Sequence, residues 1–229
     1  LGRIVSIETP IANGEMQQLN TADEIEKYLD SNDSNKKADI FINTKGISIK
    51  QTGGSKAFNK FQRKSALYIL NLLTIEKPEK KLFKLDEAVK SFHKGQIKRE
   101  IRWQDIFPEK DFKALLEHLM MKGSQTSLSS HPAEYILTSS KYPSLESLTL
   151  YNFSDYFEKK KNLITISIRR IWTNQNSKSE SGRAKSLAKN PDNLPWVFND
   201  IVGKPRNGFN ESEENKRTVY YLDISVLDE

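Results

Sequence analysis

The fold is decided by Ala-Asp-Ile-Phe-Ile (residues 38–42) and Gly-Ile-Ser-Ile-Lys-Gln (residues 46–51). Two short apolar runs separated by a few polar residues predict two β-strands joined by a tight turn. Side chains alternate along a strand, so Ser48 and Lys50 share one face and the isoleucines beside them point to the other. Asp39 opens the first strand. We therefore expect a carboxylate and a lysine to lie together, with apolar residues behind them.

This pairing suits a divalent cation beside a phosphate. A carboxylate binds a hard cation through oxygen, and an ammonium group is a point charge for a phosphate or an attacking water. The pair is typical of a metal-dependent phosphodiesterase. The alternative is purely structural, because strands often begin with Asp and a lysine within a strand is often a solvated edge residue.

Length and composition exclude several classes of protein. The chain of 229 residues predicts one domain, and with no apolar run of about 18 residues we expect no membrane span. No basic and apolar leader is seen at the start, so we expect a cytoplasmic protein. The absence of cysteine excludes disulfides and thiolate metal sites, and the three histidines form no His-x-x-x-His pair, which disfavours a zinc hydrolase.

Positive charge is segregated along the chain. The net charge is +6, and residues 40–75 contain no acidic residue although they contain six basic ones. Residues 159–189 contain nine basic residues and one acidic residue, Glu180. Such runs are often only solvated faces, but segregated positive charge is also typical of a protein with a polyanionic partner. We expect that partner to be nucleic acid.

The remaining pattern predicts an α/β (α+β) fold with a mixed central β-sheet flanked by helices. A helix is expected after Thr21, which with Glu24 forms a capping box. A second helix is expected over residues 57–73, with Phe58, Phe61, Tyr68, Ile69 and Leu72 on its apolar face. Helices are expected within residues 76–125, and a mobile polar loop over 174–193. Strands are expected at 3–8, 133–138, 147–151, 162–172 and 218–226.

The hairpin resembles the active-site motif of the PD-(D/E)XK nuclease superfamily. Ala38-Asp39-Ile40 matches the first element of that motif and Ser48-Ile49-Lys50 matches the second, with residues 56–60 following. The chain is most similar to compact type II restriction endonucleases of the HinP and Msp kind, with weaker likeness at 133–137, 164–170 and 203–209. Ser48 stands where the superfamily usually has Asp or Glu, and the HinP and Msp kind also has a neutral polar residue there.

The resemblance implies a Mg²⁺-dependent endonuclease that cuts double-stranded DNA and leaves 5′-phosphate ends. It implies that Asp39, the backbone carbonyl of Ile49 and an upstream helical glutamate hold the metal. Glu15 is the first choice for that glutamate and Glu26 the reserve. Lys50 would orient or help deprotonate the water and balance transition-state charge, with Gln51 fixing the geometry and Ser48 beside them.

The single nuclease domain, residues 1–229, is expected to include a helical lobe at 76–125 and a DNA-reading region at 169–217. The predicted DNA contacts are basic and amide side chains: Lys56, Asn59, Lys60, Arg63, Lys64, Arg169, Arg170, Lys204, Arg206 and Asn207. We expect no small-molecule cofactor and allow a homodimer on DNA. Two alternatives stay open: an inactive DNA-binding module of nuclease fold, and a structure-selective repair nuclease.

Overall fold

A computed structural model describes residues 7–10, 16–18, 20–21, 36–51, 57–140, 144–200 and 217–226. The strands are β1 (Ile7–Pro10), β2 (Met16–Gln18), β3 (Ile40–Ile42), β4 (Lys45–Gln51), β5 (Ala57–Phe61), β6 (Glu100–Ile101), β7 (Tyr135–Ser139), β8 (Thr149–Asn152), β9 (Ile164–Trp172), β10 (Val197–Phe198) and β11 (Thr218–Val226). The α-helices are α1 (Arg63–Leu72), α2 (Pro78–His93), α3 (Glu109–Glu117), α4 (Phe153–Lys160) and α5 (Lys178–Lys189). Within the described ranges, every helix is too short or too polar to cross a lipid bilayer.

The chain has a mixed α/β fold, as predicted, but its strands form two sheets. It divides into two compact units, one of residues 1–59, 113–163 and 226–229, the other of residues 60–112 and 164–225. We call these the hairpin unit and the second unit.

The hairpin unit is built on a six-stranded mixed sheet of order β2-β1-β3-β4-β7-β8. Strands β3 and β4 are antiparallel, β4 and β7 parallel, and β7 and β8 antiparallel. A parallel neighbour requires a long crossover connection, which here is the whole segment between β4 and β7. One face of the sheet carries an apolar cluster of Ile40 and Ile47, against which Ile49, Tyr135 and Leu137 pack among others.

The β3–β4 hairpin closes as its sequence predicts. Ile40 pairs with Ile47 and Ile42 with Lys45, and the two turn residues, Asn43 and Thr44, have φ angles of 49° and 68°. These left-handed angles are those of the tight turns whose twist matches the flanking strands. The turn therefore fixes the register that places Asp39 near β4.

The second unit contains the sheet β10-β11-β9-β6. Helix α5 packs on this sheet through Ala184, Leu187 and Ala188, which contact Ile171 and Val219 of the core cluster. The sheet and helix bury the apolar side chains of β9 and β11. The strand predicted over 218–226 is confirmed residue for residue.

Two predictions about local structure are wrong. Residues 174–193 were expected to be a mobile loop, but 178–189 form α5 and 191–196 a 3₁₀ helix. Residues 57–73 were expected to be one helix, but 57–61 are strand β5 and the helix begins at Arg63. In α1 the buried residues are Ser65, Ala66, Ile69 and Leu70, whereas Tyr68 and Leu72 are exposed. The buried face of α1 is therefore the face that packs within the unit, and it is not the face that carries the largest apolar side chains.

Other elements agree with their predicted positions. Helices α2 and α3 lie within residues 76–125, and β7, β8 and β9 lie at the three internal positions predicted for strands. Strand β1 includes Ile7 and Glu8 of the strand predicted over 3–8, and residues 3–6 lie outside the described residues. The helix predicted after Thr21 lies outside the described residues.

Candidate active site on the β3–β4 hairpin

Asp39 is held against strand β4 by backbone groups. Its own N–H donates to the carbonyl of Ile47 at 2.8 Å, and its carboxylate Oδ2 accepts from the N–H of Ile49 at 2.6 Å. The hydroxyl of Ser48 lies 3.5 Å from the same oxygen, at the outer limit of a hydrogen bond. The carboxylate therefore has a fixed direction that depends mainly on the main chain.

A small polar cavity of about 100 Å³ lies on this face of the hairpin unit. Asp39 and Lys50 both line it, as the alternation of β4 predicted, and Lys36 and Lys37 join them. The apolar part of its wall comes from Leu119 and Met120. Among the described residues, one carboxylate and three lysines therefore line the cavity.

Lys37 and Lys36 are site residues that sequence reasoning missed. The backbone N–H groups of Lys37 and Ala38 both donate to the carbonyl of His131 at 3.0 Å. Burial and the nearby positive charge of Lys50 together lower the pKa of Lys37 to about 8, and the negative charge of Asp39 opposes this shift. The one available signal was their position two and three residues before Asp39.

A π-helical turn over His118–Lys122 supplies the apolar wall. Such turns are rare and occur frequently at functional sites, because they displace side chains from the regular helical register. Here the displaced segment contains Leu119 and Met120, both nearly fully buried. His118 is also buried, and its Nε2 lies 3.0 Å from the carbonyl oxygen of Ser124.

Of the remaining predicted catalytic and metal-binding residues, three are neighbours of Lys50 on β4 that do not line this cavity, and the others lie outside the described residues. Ser48 is buried, 1% exposed, on the same face as Lys50. Gln51 ends β4 and is exposed. Ile49 packs its side chain into the apolar cluster and uses its N–H for Asp39. Glu15, and Glu26 held in reserve, lie outside the described residues.

The described residues supply only part of a Mg²⁺ site. Among them, no three Asp, Glu, His or Cys side chains are grouped so as to hold a metal ion. Asp39 is the one carboxylate lining the cavity, and Mg²⁺ is usually bound by one or two carboxylates together with water and phosphate oxygens. The ligand set is thus compatible with Mg²⁺ when the phosphate and a residue such as Glu15 complete it.

The predicted DNA contacts have differing surroundings in the second unit. Lys60 is exposed, with its ammonium 5.9 Å from the ring centre of Tyr221, and Lys64 is exposed at the start of α1. Arg169 donates from Nε to Asp223 at 3.0 Å, and Arg170 lies 5.5 Å from the ring of Trp172. The side chain of Asn59 and the predicted contacts Lys56, Lys204, Arg206 and Asn207 lie outside the described residues.

Arg63 has a structural partner that the sequence did not reveal. Its Nε and Nη2 each donate to a carboxylate oxygen of Asp86 at 2.8 Å, and its Nη1 donates to the carbonyl of Asp192 at 2.7 Å. The indole N–H of Trp196 donates to the same carboxylate at 2.8 Å. The guanidinium is therefore engaged within the second unit, where it joins α1, α2 and the 3₁₀ helix before β10.

Comparison of the chain with protein-family models, with curated proteins and with solved structures found no match.

Proposed function

We propose that this chain is a type II-like site-specific endonuclease that hydrolyses phosphodiester bonds of double-stranded DNA with Mg²⁺. The observation that supports this most directly is the cavity on the hairpin, where Asp39 and Lys50 meet. Lysines around a single carboxylate suit a phosphate bound beside a cation. The mixed sheet, in which the hairpin strand has a parallel neighbour, supports a restriction-endonuclease-like core.

In the proposed reaction, a water oxygen attacks phosphorus and loses a proton, the bond to the 3′ oxygen breaks, and that oxygen takes up a proton. The products are a 5′-phosphate and a 3′-hydroxyl. Lys50 orients the water and balances the charge that develops on the phosphoryl oxygens. Lys37, in the same cavity, adds a second positive charge. Asp39 is held in position by the N–H of Ile49. A Mg²⁺ ion, when bound, polarises the phosphoryl oxygen and lowers the pKa of water.

One observation favours the second candidate, an inactive DNA-binding module of the same fold. Ser48 replaces the acidic residue usual in the motif, and its buried hydroxyl faces Asp39. Without a second carboxylate, the site could bind a phosphate through its lysines and leave it intact. A structure-selective repair nuclease is the third candidate.

Digestion of supercoiled plasmid with Mg²⁺ separates the three. A site-specific enzyme gives discrete fragments, a structure-selective enzyme nicks or cuts only at branched or cruciform DNA, and an inactive module gives no product. The matched variant is Asp39→Asn, which keeps the shape of the carboxylate and removes its charge. We expect wild-type protein to give discrete bands that EDTA and Asp39→Asn both abolish. If Asp39→Asn cleaves at a rate within a few-fold of the wild-type rate, this cavity is not the active site.

A further inference from the structure

A second and larger cavity lies wholly within the second unit. Its volume is about 510 Å³, within the range of pockets that bind small organic ligands. Three arginines line it, Arg99, Arg169 and Arg170, together with the aromatic side chains of Phe92, Trp172 and Tyr221. It is thus both strongly basic and aromatic.

Two buried donors on this wall have no acceptor. The indole Nε1 of Trp172 and the amide Nε2 of Gln175 make no hydrogen bond within the described part of the chain. The two residues are 7% and 9% exposed, and both line the cavity. Buried polar groups are nearly always paired, and an unpaired one at a cavity often indicates a missing ligand. The ligand should therefore offer hydrogen-bond acceptors.

The charges on the wall indicate that the ligand is also anionic. Arg99 is exposed and has no ion-pair partner among the described residues. Arg169 is paired with Asp223 through Nε, and Arg170 lies over the ring of Trp172. Against these three guanidinium groups, Glu180 supplies the one carboxylate that lines the cavity among the described residues. An anion entering here is attracted by a net positive wall.

We propose that this cavity binds a nucleotide, with its phosphate on the arginines and its base among the aromatic side chains. A guanidinium group matches the geometry of a phosphate through paired hydrogen bonds. Bases bind to aromatic side chains and to arginine by stacking. The donor atoms of Gln175 and Trp172 are covered as the side chains stand, and a small rotation of either side chain would bring its donor to a ring acceptor of the base. The carboxylate of Glu180 accepts from an amino group. An inorganic anion would satisfy only the arginines and leave most of the volume unfilled.

The nucleotide has two possible sources, a free mononucleotide or one nucleotide of a nucleic-acid strand. For the second source the inference rests on the proposed nucleic-acid function, but not on cleavage, since none of the residues that line this cavity belongs to the hairpin unit. All binding is therefore measured in EDTA, where cleavage does not proceed. Binding in EDTA and cleavage with Mg²⁺ are separate measurements, so failure of the cavity and failure of the active site are separable.

The experiment is isothermal titration of the full chain with each nucleoside 5′-monophosphate, with guanosine, with inorganic phosphate and with a short single-stranded oligonucleotide. Gln175→Leu keeps the volume of the side chain and removes its donor, and Arg99→Gln removes one cation. The matched control is Arg102→Gln, an exposed arginine of the same unit that does not line the cavity.

We expect Gln175→Leu and Arg99→Gln each to weaken binding about tenfold, and Arg102→Gln to change it less than about twofold. Gln175→Leu should unfold at the same or a higher temperature than wild type, because it removes an unpaired buried donor. If mononucleotides bind and show this pattern, the ligand is free; if only the oligonucleotide does, the ligand is part of a strand. Three results would overturn the proposal. Inorganic phosphate could bind as tightly as any nucleotide, or all three variants could lose affinity equally. The third is that no ligand of the panel binds more weakly to Gln175→Leu and Arg99→Gln than to wild type.

Discussion

The carboxylate of Asp39 lies 2.6 Å from the backbone nitrogen of Ile49, ten residues later in the chain. This contact exists because the hairpin register brings the start of β3 beside the middle of β4. Only substitution by proline removes a backbone N–H, so the direction of the carboxylate survives most changes to neighbouring side chains. The catalytic proposal can therefore be tested by side-chain variants without moving Asp39.

Replacing Lys50 by Met should reduce cleavage by about 10²–10⁴-fold, because a charge that balances the transition state is lost. Lys45→Met is the matched control: Lys45 is on the same strand but points to the opposite face, where it pairs with Glu134 at 2.8 Å. The measurement is the single-turnover rate at saturating Mg²⁺. Equal rates for the two variants would show that the face of β4 lined by Lys50 takes no part in the reaction.

Substitutions of Ser48 and of Glu15 should differ in how far they lower the cleavage rate. If the backbone carbonyl of Ile49 and Glu15 complete the metal site, Ser48→Ala should lower the rate only slightly, and Glu15→Gln severely. The 3.5 Å separation of the Ser48 hydroxyl from Asp39 indicates a weak contact, which supports the mild effect. Rates are compared at saturating Mg²⁺. The reverse order would make Ser48, or a water that it holds, part of the metal site.

DNA affinity should depend steeply on salt. With roughly 6–10 phosphate contacts, the logarithm of the binding constant should fall against the logarithm of salt concentration with a slope of about −5 to −9. Lys60→Gln and Lys64→Gln should each make the slope shallower by about 1, since both side chains are exposed. A wild-type slope shallower than about −2 would mean that the basic runs are only solvated faces.

Asp86→Asn should destabilise the protein by about 2 kcal/mol or more, because Asp86 pairs Arg63 through two hydrogen bonds and accepts a third from Trp196. The free energy of unfolding is measured by urea denaturation. Glu87→Gln, on the next and exposed position, should change it by less than about 0.5 kcal/mol. Arg63→Gln should likewise lower the free energy of unfolding. If it lowers DNA affinity without lowering that free energy, the result would support the prediction that Arg63 contacts DNA.

Stability should fall as the pH drops below 6.5, in part through His118. Burial lowers the pKa of His118 below its ordinary value of 6.5, and the charges of Lys37 and Lys122 add to the shift. The unfolded chain therefore binds a proton at a pH where the folded chain does not, and acid favours unfolding. In His118→Gln the loss of unfolding free energy between pH 7.5 and 5.5 should be smaller than in wild type. An equal loss in wild type and His118→Gln would show that protonation of His118 does not contribute.

The hairpin was predictable because its signals are local. Strand alternation and a polar turn fix which residues share a face, and the structure places Asp39 and Lys50 on one cavity accordingly. Lys37 was not predictable, because it reaches the cavity through a backbone hydrogen bond to His131, which is distant in sequence. Ion pairs such as Arg63 with Asp86 were hidden for the same reason, so part of the apparent positive charge is neutralised inside the fold.

The start of helix α5 is indicated in the sequence by its capping residue. Ser177 caps the helix by accepting from the N–H of Glu180, and these residues stand three apart as in a capping box. The buried positions are Ser181, Ala184, Leu187 and Ala188, which have helical spacing. Most of these residues are small, so a search for large apolar residues at helical spacing does not find this helix. Small residues at helical spacing were the better indicator here.

The left-handed turn at Asn43 and Thr44 has a consequence for engineering. Asn tolerates a positive φ, but a β-branched residue such as Thr is strained there, at a cost of about 1–3 kcal/mol. The side chain at position 44 does not line the cavity, so glycine would relieve the strain and leave the chemistry unchanged. We therefore expect Thr44→Gly to raise the heat tolerance of this unit through a position outside the proposed active site.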